Sequence, residues 1–168
     1  MSSSEIRLED AGASLTLGWR EWVALPELGV PAIKAKVDTG ARTSALHTFG
    51  IEPYRKQGVQ RVRFSLHPMQ RTTAGAVVCD AVVHDRRSVR DSGGHSETRW
   101  VITTQLKLAG RTIHPEVTLT NRDGMLFRML LGRTALQELA AMVDPARSYL
   151  TGRPTRSSQP KGPQAIRQ

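Results

Sequence analysis

Hydrophobic residues recur at every second position through much of the chain, as they do in β-strands with one buried face. The run Arg61-Val62-Arg63-Phe64-Ser65-Leu66 shows this alternation most clearly. Similar apolar runs predict further strands at residues 33–37, 76–83, 100–104, 105–108 and 113–120. Ala109 and Gly110 separate the last two runs and predict a tight hairpin turn.

Helical spacing occurs in one stretch near the end of the chain. Leu136, Leu139 and Ala140 recur three or four positions apart, and Asp144-Pro145 is a signal to stop. We therefore expect a helix over residues 133–142. Many short strands with one short C-terminal helix predict a mostly β domain.

A polar segment at residues 85–98 lies between two of the predicted strands. It carries Arg86, Arg87 and Arg90 among serines and glycines. We expect residues 76–83 and 100–104 to pair as a hairpin, with this segment as its long basic tip.

Composition indicates one domain with a polar segment at each end. Residues 1–17 are predicted to be a flexible N-terminus, residues 18–151 the domain, and residues 152–168 a disordered basic tail. The chain shows no secretory signal and no run of about 18 apolar residues, the length that a membrane span needs. A single cysteine, Cys79, fits a reducing compartment. We therefore expect a cytoplasmic protein that does not contact membranes.

Asp38-Thr39-Gly40 is the sequence feature with the clearest chemical meaning. It follows the apolar run at residues 33–37, and Gly40 permits a sharp turn, so the Asp38 carboxylate is expected at a strand-to-loop corner. Peptide hydrolysis without a metal or covalent intermediate needs an acid and a base, and two carboxylates sharing a proton supply both. Asp91-Ser92-Gly93 lacks a preceding apolar strand, so we expect the second carboxylate from a second copy of the chain. A tight turn capped by aspartate is the alternative interpretation.

Several separate blocks of the chain, including this motif, resemble the retropepsin-like aspartic proteases. The chain looks most like the bacterial group long labelled ATP-dependent zinc proteases, which includes the RimB-type endopeptidases that accompany RimK-type glutamate ligases. The matching blocks are residues 18–26, 34–47 (KAKVDTGARTSALH), 62–64 with 67–68, 118–123 and 127–136.

The resemblance implies a fold and a support for the catalytic loop. The fold would be a retropepsin-like (acid protease) β-barrel with one short C-terminal helix. Leu130, Leu131 and Gly132 would pack beneath the catalytic loop as the structural motif under the site. Arg133, which ends this motif, suggests a salt bridge between subunits by analogy and is assigned no catalytic role.

The resemblance also implies catalytic and substrate-binding residues. The expected catalytic residues are Asp38, Thr39 and Gly40. The expected substrate-binding residues are Ala41, Arg42, Arg86, Arg87 and Arg90. The basic tip would correspond to a flap over the substrate, where arginines favour acidic peptides through bidentate hydrogen bonds. RimB-type function implies trimming of the glutamate-rich tails that a RimK-type ligase adds to a ribosomal protein. A solvated loop is the alternative interpretation of these arginines.

The sequence predicts no metal site and no cofactor. The five histidines are scattered singly, without a His-Glu-x-x-His motif or a cysteine pair at ligand spacing. His47 is the best single candidate for metal binding or proton transfer, but a structural role is favoured because metal sites need several convergent ligands. No Gly-x-x-x-x-Gly-Lys-Ser/Thr loop is present. Any ATP dependence would come from a partner such as a RimK-type glutamate ligase.

The formal net charge is +9 at pH 7, and part of it is concentrated near the C-terminal end. The cations in or beside the tail are Arg147, Arg153, Arg156, Lys161 and Arg167. Most tails of this kind only aid solubility. Trp19, Trp22 and Trp100 are expected to anchor a core or an interface, because no alternation of basic and aromatic residues surrounds them along the chain. Nucleic-acid binding is therefore not expected.

These observations together predict a homodimeric aspartic endopeptidase that acts on acidic protein tails. Two alternatives stay open. One is a non-catalytic module that docks a glutamate ligase or an acidic peptide through its arginines. The other is the zinc-dependent hydrolase that the older label of the group suggests.

Overall fold

A computed structural model of the chain describes residues 14–90 and 92–154. These residues form strands, a short 3-10 helix at Pro26–Leu28 and one α-helix, α1, at Arg133–Glu138. The strands are β1 Leu15–Leu17, β2 Arg20–Leu25, β3 Val30–Val37, β4 Ser44–His47, β5 Phe49–Lys56, β6 Val59–Leu66, β7 Val77–Val82, β8 Asp85–Arg90, β9 Ser96–Thr103, β10 Leu106–Leu108, β11 Arg111–Ile113, β12 Glu116–Thr120, β13 Met129–Leu131 and β14 Ala141–Val143. The predicted mostly β fold with one short helix is confirmed.

Nine strands form the main sheet, in the order β11-β10-β2-β3-β13-β4-β12-β9-β8. Pairing among the described residues begins at β11 and ends at β8, so it does not close the sheet into the expected barrel. The centre of the sheet holds two parallel pairs, β3 with β13 and β4 with β12, joined by the antiparallel pair of β13 and β4. β4 and β12 are buried almost throughout, as strands covered on both faces are. The centre of the sheet is therefore a well-packed platform for the loops at its ends.

One hydrophobic cluster joins the main sheet to a smaller sheet of β5, β6 and β7. Val62, Phe64 and Leu66 alternate along β6 and are fully buried, which confirms the alternation predicted there. Cys79 of β7 lies opposite Phe64, and burial raises the pKa of its thiol to about 11. The thiol therefore stays protonated at neutral pH and serves to fill the core rather than as a nucleophile.

The basic segment predicted as a hairpin tip is itself largely a strand. Residues 85–90 form β8, which pairs with β9 through a tip that includes residues 92–95. β7 pairs with β6, so the predicted pairing of residues 76–83 with 100–104 is wrong. Strand β8 was not predicted because a sequence pattern detects a strand by its apolar face, and Val89 is the one apolar residue of β8.

A two-stranded parallel sheet joins the first strand of the described chain to its last strand. β1 pairs with β14, and Leu17 is fully buried, so residues 15–17 of the segment 1–17 form a strand. Helix α1 is shorter than predicted because Ala140 adopts a φ of 51°, after which β14 begins. The expectations for residues 1–13 and 155–168 lie outside the described residues. Within the described residues 14–90 and 92–154, no helix has the length and apolar character to cross a membrane.

A buried carboxylate ties the C-terminal segment to the start of β2. Glu21 has no exposed surface. Its Oε2 accepts hydrogen bonds from the N–H groups of Gly18 (2.6 Å) and Leu150 (3.1 Å), and its Oε1 accepts from the N–H and the hydroxyl of Thr151 (3.2 Å each). These four donors satisfy the carboxylate, as burial of a charged group requires.

Candidate active site

The Asp38-Thr39-Gly40 motif lies in the loop that follows β3, as predicted. Val37 is the last residue of β3 and lies beside Leu131 of β13. The Asp38 N–H donates to the Leu131 carbonyl at 2.9 Å, which carries the pairing one residue beyond the strand. Asp38 is half-buried, whereas Thr39 and Gly40 are exposed. The carboxylate therefore lies at a solvent-accessible corner beside the centre of the main sheet.

The two carboxylate oxygens of Asp38 have different surroundings. Oδ1 accepts hydrogen bonds from the N–H groups of Gly40 (2.9 Å) and Ala41 (3.2 Å). Oδ2 has no hydrogen-bond partner among the described residues. The loop backbone thus fixes the orientation of the carboxylate through one oxygen and leaves the other able to bind a water molecule.

Because Gly132 has no side chain, its backbone can pack directly against the backbone of Thr43 and Ser44, just after the loop. A Cβ built on Gly132 would lie 2.5 Å from the carbonyl carbon of Thr43 and 2.8 Å from the Ser44 nitrogen, closer than real contacts allow. The Gly132 N–H donates to Ser44 Oγ at 3.0 Å. Ser44 is therefore a buried structural acceptor beneath the loop.

The first residues of α1 hold the loop from below through its carbonyl groups. The Arg133 N–H donates to the Ala41 carbonyl at 2.7 Å, and the Thr134 N–H donates to the Arg42 carbonyl at 3.0 Å. The Arg133 side chain adds a hydrogen bond from Nη1 to the Thr39 carbonyl at 2.9 Å. Donors at the start of a helix have no partner inside it, so they are free to bind the loop. The start of α1 and the loop are therefore joined by three hydrogen bonds.

A cavity of about 810 Å³ opens beside the loop and runs under the β8–β9 hairpin. It brings together Ala41 and Arg42 of the loop with Arg87 and Arg90 of β8, four of the five residues predicted to bind substrate. Arg86 does not line it, and its guanidinium lies 4.9 Å from the centre of the Trp100 ring. Further lining residues, which are not among the five predicted to bind substrate, are Arg99, Glu116, Thr118, Arg122 and Met125.

Arg87 is already engaged by carboxylates from two strands. Both of its terminal nitrogens donate to Glu116 of β12, with Nη2 3.0 Å from Oε1, and its Nε donates to Asp85 Oδ2 at 2.6 Å. His84 Nε2 also lies 3.1 Å from Glu116 Oε1. The hydrogen bonds from Arg87 lower the pKa of Glu116 below its usual range. No sequence pattern predicts this ion pair, because its partners lie 29 residues apart and meet only in the folded sheet.

His47 lines the same cavity from β4, where it is buried. Its Nδ1 lies 2.7 Å from Thr120 Oγ1 of the neighbouring strand β12. Burial lowers the pKa of His47, and the nearby cations Arg99, Arg122 and Arg128 lower it further. His47 is therefore neutral at neutral pH, which fits the predicted structural role. In the part of the chain that the structure describes, no three His, Cys, Asp or Glu side chains are grouped as metal ligands.

Replacing Glu116 by glutamine is expected to loosen the attachment of β8 to the main sheet. The depressed pKa of Glu116 means that its ion pair stabilises the fold above the unfolded value of about 4.3 and loses that contribution as pH falls through the lower folded value. Hydrogen exchange followed by mass spectrometry should show faster exchange in β8 of the variant at pH 7. The wild-type protein should approach the same rates, corrected for intrinsic exchange, only at pH values well below the unfolded value of about 4.3. Equal protection in both proteins at pH 7 would contradict the role of this ion pair.

Known proteins similar to this chain are found by sequence and by structure. A family model described as RimB-like, retropepsin-like aspartic endopeptidase RimB, matches residues 16–154. A protein of Shewanella pealeana named probable alpha-L-glutamate ligase is 47% identical over 136 residues, covering 81% of this chain and 30% of that protein. One of Desulfotalea psychrophila with the same name is 43% identical over 146 residues, covering 87% of this chain and 31% of that protein.

The solved structure of a Legionella pneumophila protein of unknown function is similar with a TM-score of 0.69 and 27% identity, covering 83% of this chain and 99% of that one. The chain spans about 30% of the length of the curated relatives it matches. The family model, in contrast, spans nearly all described residues, and the resemblance inferred from the motifs is confirmed. The chain belongs to the RimB-like family of retropepsin-like aspartic endopeptidases.

Proposed function

We propose that the chain is an aspartic endopeptidase that acts as a homodimer on acidic, glutamate-rich protein tails. The observation that carries the proposal is the hydrogen bonding of the Asp38 carboxylate. One of its oxygens is oriented by two backbone N–H groups, and the other is without a partner among the described residues. A carboxylate held in this way can bind and polarise a water molecule.

The second carboxylate in this proposal is Asp38 of the partner subunit. Among the described residues, Glu116 is the carboxylate that lines the cavity, but it accepts hydrogen bonds from Arg87, and its lowered pKa keeps it ionised. It is therefore unsuited to donate a proton to a substrate. A twofold axis beside the exposed Thr39 and Gly40 would bring two copies of the same loop together, as a symmetric dimer allows.

The reaction follows from two facing carboxylates that share one proton. The ionised Asp38 removes a proton from water, and the protonated carboxyl donates its proton to the carbonyl oxygen of the peptide. The new C–O bond gives a tetrahedral diol. Proton return to the amide nitrogen then allows the C–N bond to break, which releases an amine and a carboxylic acid. Thr39, Gly40 and Ala41 position the carboxylates through the loop backbone.

The charge of the cavity supports an acidic substrate. Arg42 and Arg90 line it, and neither forms an ion pair with another described residue. Arginine binds carboxylates through paired hydrogen bonds, and a partly dry cavity strengthens them. The relatives named glutamate ligase support the same substrate class, because a segment similar to this chain forms part of those longer polypeptides. A ligase of that type is the partner we propose to supply the substrate.

The substrate proposal is tested with two peptides of equal length, one with a glutamate tail and one with a glutamine tail. A charge-assisted hydrogen bond contributes about 1.5–3 kcal/mol, so kcat/KM should be at least about tenfold higher for the glutamate peptide. Arg90→Gln should remove most of that preference. Arg55→Gln, which changes an exposed arginine of β5 outside the cavity lining, is the matched control and should retain it.

Other outcomes point to the remaining alternatives. Equal cleavage of the two peptides would contradict the acidic preference while leaving the peptidase proposal intact. Activity that is lost in chelator and kept in an inhibitor of aspartic proteases would favour the zinc hydrolase. Binding of the glutamate peptide without cleavage, by a folded dimer, would favour the non-catalytic module.

A further inference from the structure

A basic and aromatic surface lies on the outer face of β2, β3 and β10, and the proposed peptidase does not use it. Arg20 lies opposite Lys36, Trp22 opposite Lys34 and Ala24 opposite Lys107 in the strand registers, so these side chains share one face. The C-terminal segment adds two further residues to this face. The basic-aromatic face consists of Arg20, Trp22, Lys34, Lys36, Lys107, Tyr149 and Arg153.

Cations and rings alternate across this face in space. The Arg20 guanidinium lies 4.8 Å from the centre of the Tyr149 ring and 4.5 Å from that of Trp19. Lys34 Nζ lies 5.2 Å from the Trp22 ring and 5.6 Å from Tyr149. The Arg153 guanidinium lies 4.7 Å from Trp22. This alternation could not be recognised along the sequence, because the residues come from four separate segments: β2, β3, β10 and the C-terminal segment.

The cations of the basic-aromatic face have no acidic partners in the part of the chain that the structure describes. None of its five lysines and arginines forms an ion pair with another described residue, whereas Arg61 and Arg87 elsewhere on the protein both do. The carboxylate of Glu21 points inward from the same strand and is fully buried. The face therefore combines uncompensated positive charge with partly exposed rings, which attracts polyanions.

A groove of about 440 Å³ runs along this face between β2, the β10–β11 turn and residues 151–154. Its lining includes Trp22, Lys107, Gly110 and Arg153. The described chain ends at Pro154 in the wall of this groove. The sequence that follows contains three cations, Arg156, Lys161 and Arg167, and no acidic residue, so the positive charge of the chain continues from this point.

We propose that the basic-aromatic face binds single-stranded nucleic acid, with phosphates on the lysines and arginines and bases on the rings. Proteins that bind single strands combine these two features. An acidic peptide fits less well, because the faces of aromatic rings are negative and repel carboxylates, whereas the planes of bases stack on them. This inference revises the sequence-based expectation and is independent of the proposed peptidase activity.

Fluorescence anisotropy with labelled 12-nucleotide RNA and DNA strands tests the proposal on the full-length protein. Each phosphate contact to a single strand contributes about 0.7 to the slope of log K against log salt. The double variant Lys34→Gln/Lys36→Gln should therefore bind on the order of 10- to 30-fold more weakly at about 0.1 M salt, with a shallower slope. Comparison of the two strands separates RNA from DNA as the ligand, and binding of either supports the proposal.

The matched control is Arg55→Gln/Lys56→Gln, which removes the same charge from exposed positions of β5. It should bind like the wild-type protein, and thermal melting should show that both double variants are folded. Stacking should quench the emission of Trp22, and Trp22→Phe should keep the affinity but lose that part of the quenching. Three outcomes would overturn the proposal: no binding of either strand, equal weakening in both double variants, or displacement of the bound strand by a glutamate peptide of equal length and charge.

Discussion

Replacing Asp38 by asparagine is expected to abolish hydrolysis of a glutamate-tailed peptide while the protein stays folded and dimeric. Asparagine has the shape of aspartate, and its oxygen can still accept the hydrogen bonds from Gly40 and Ala41. It can neither take a proton from water nor share one with a second carboxylate. General acid-base catalysis contributes about 10²–10⁴-fold, so the residual rate should fall by at least that factor. The measurements are initial rates of cleavage and analytical ultracentrifugation.

Mixing the two proteins separates a shared site from a complete site in each subunit. If each subunit supplies one of the two carboxylates, a dimer of one wild-type and one Asp38→Asn chain is inactive. After exchange of subunits at equal concentrations, about a quarter of the dimers in a random mixture hold two wild-type chains, so the activity per wild-type subunit should fall by about half. Unchanged activity per wild-type subunit would mean that each chain carries a complete site, and the homodimeric mechanism would be rejected.

Replacing Gly132 by alanine is expected to destabilise the fold strongly and to disturb the catalytic loop. The new methyl group would lie 2.5 Å from the carbonyl carbon of Thr43, and backbone cannot move aside as a flexible side chain can. Overpacking of this kind costs about 1–3 kcal/mol, and occasionally more. The shift would also pull Ser44 Oγ away from the N–H that it accepts. The free energy of unfolding in urea measures the loss.

Gly124→Ala is the matched control for this change. A Cβ on Gly124 would meet no atom within 4 Å, and its φ lies outside the left-handed region. This control should leave the urea midpoint unchanged or raise it slightly, because Ala restricts the unfolded chain more than Gly does. If the two alanine variants were equally stable, the close approach of Gly132 to the loop would have to be relieved by a movement of β13. The peptidase activity of folded Gly132→Ala protein would then show whether the loop tolerates that movement.

Three features of the fold were predictable because their sequence signals are local. Alternation along residues 61–66, the turn at Ala109-Gly110 and the glycine after Asp38 each act through neighbouring residues, and the structure contains all three. β8 was missed as a strand because most of its side chains are polar. Its place at an edge of the main sheet comes from pairing with β9 rather than from an apolar face.

The candidate site was predictable in its loop and less so in its walls. Residues 38–42 and 130–133 belong to two motifs whose joint presence indicated that they meet. Arg87 was expected to bind substrate, but Glu116, which engages it, comes from a strand distant in sequence. The cations of the basic-aromatic face were likewise invisible as a group, because strand pairing and the C-terminal segment bring them together. What could not be predicted is therefore pairing between distant segments.

The four hydrogen bonds to Glu21 make the domain a portable unit. This one carboxylate binds Gly18, just before β2, and residues 150–151, near the C-terminal end of the described chain, so the two segments are fastened at a single point. Domains whose ends lie together can be inserted into other polypeptides or appended to them with little distortion. That architecture suits a chain that matches about 30% of the length of its longer relatives. The hydrogen bonds to Glu21 lie within the domain, so they do not depend on what is joined on either side.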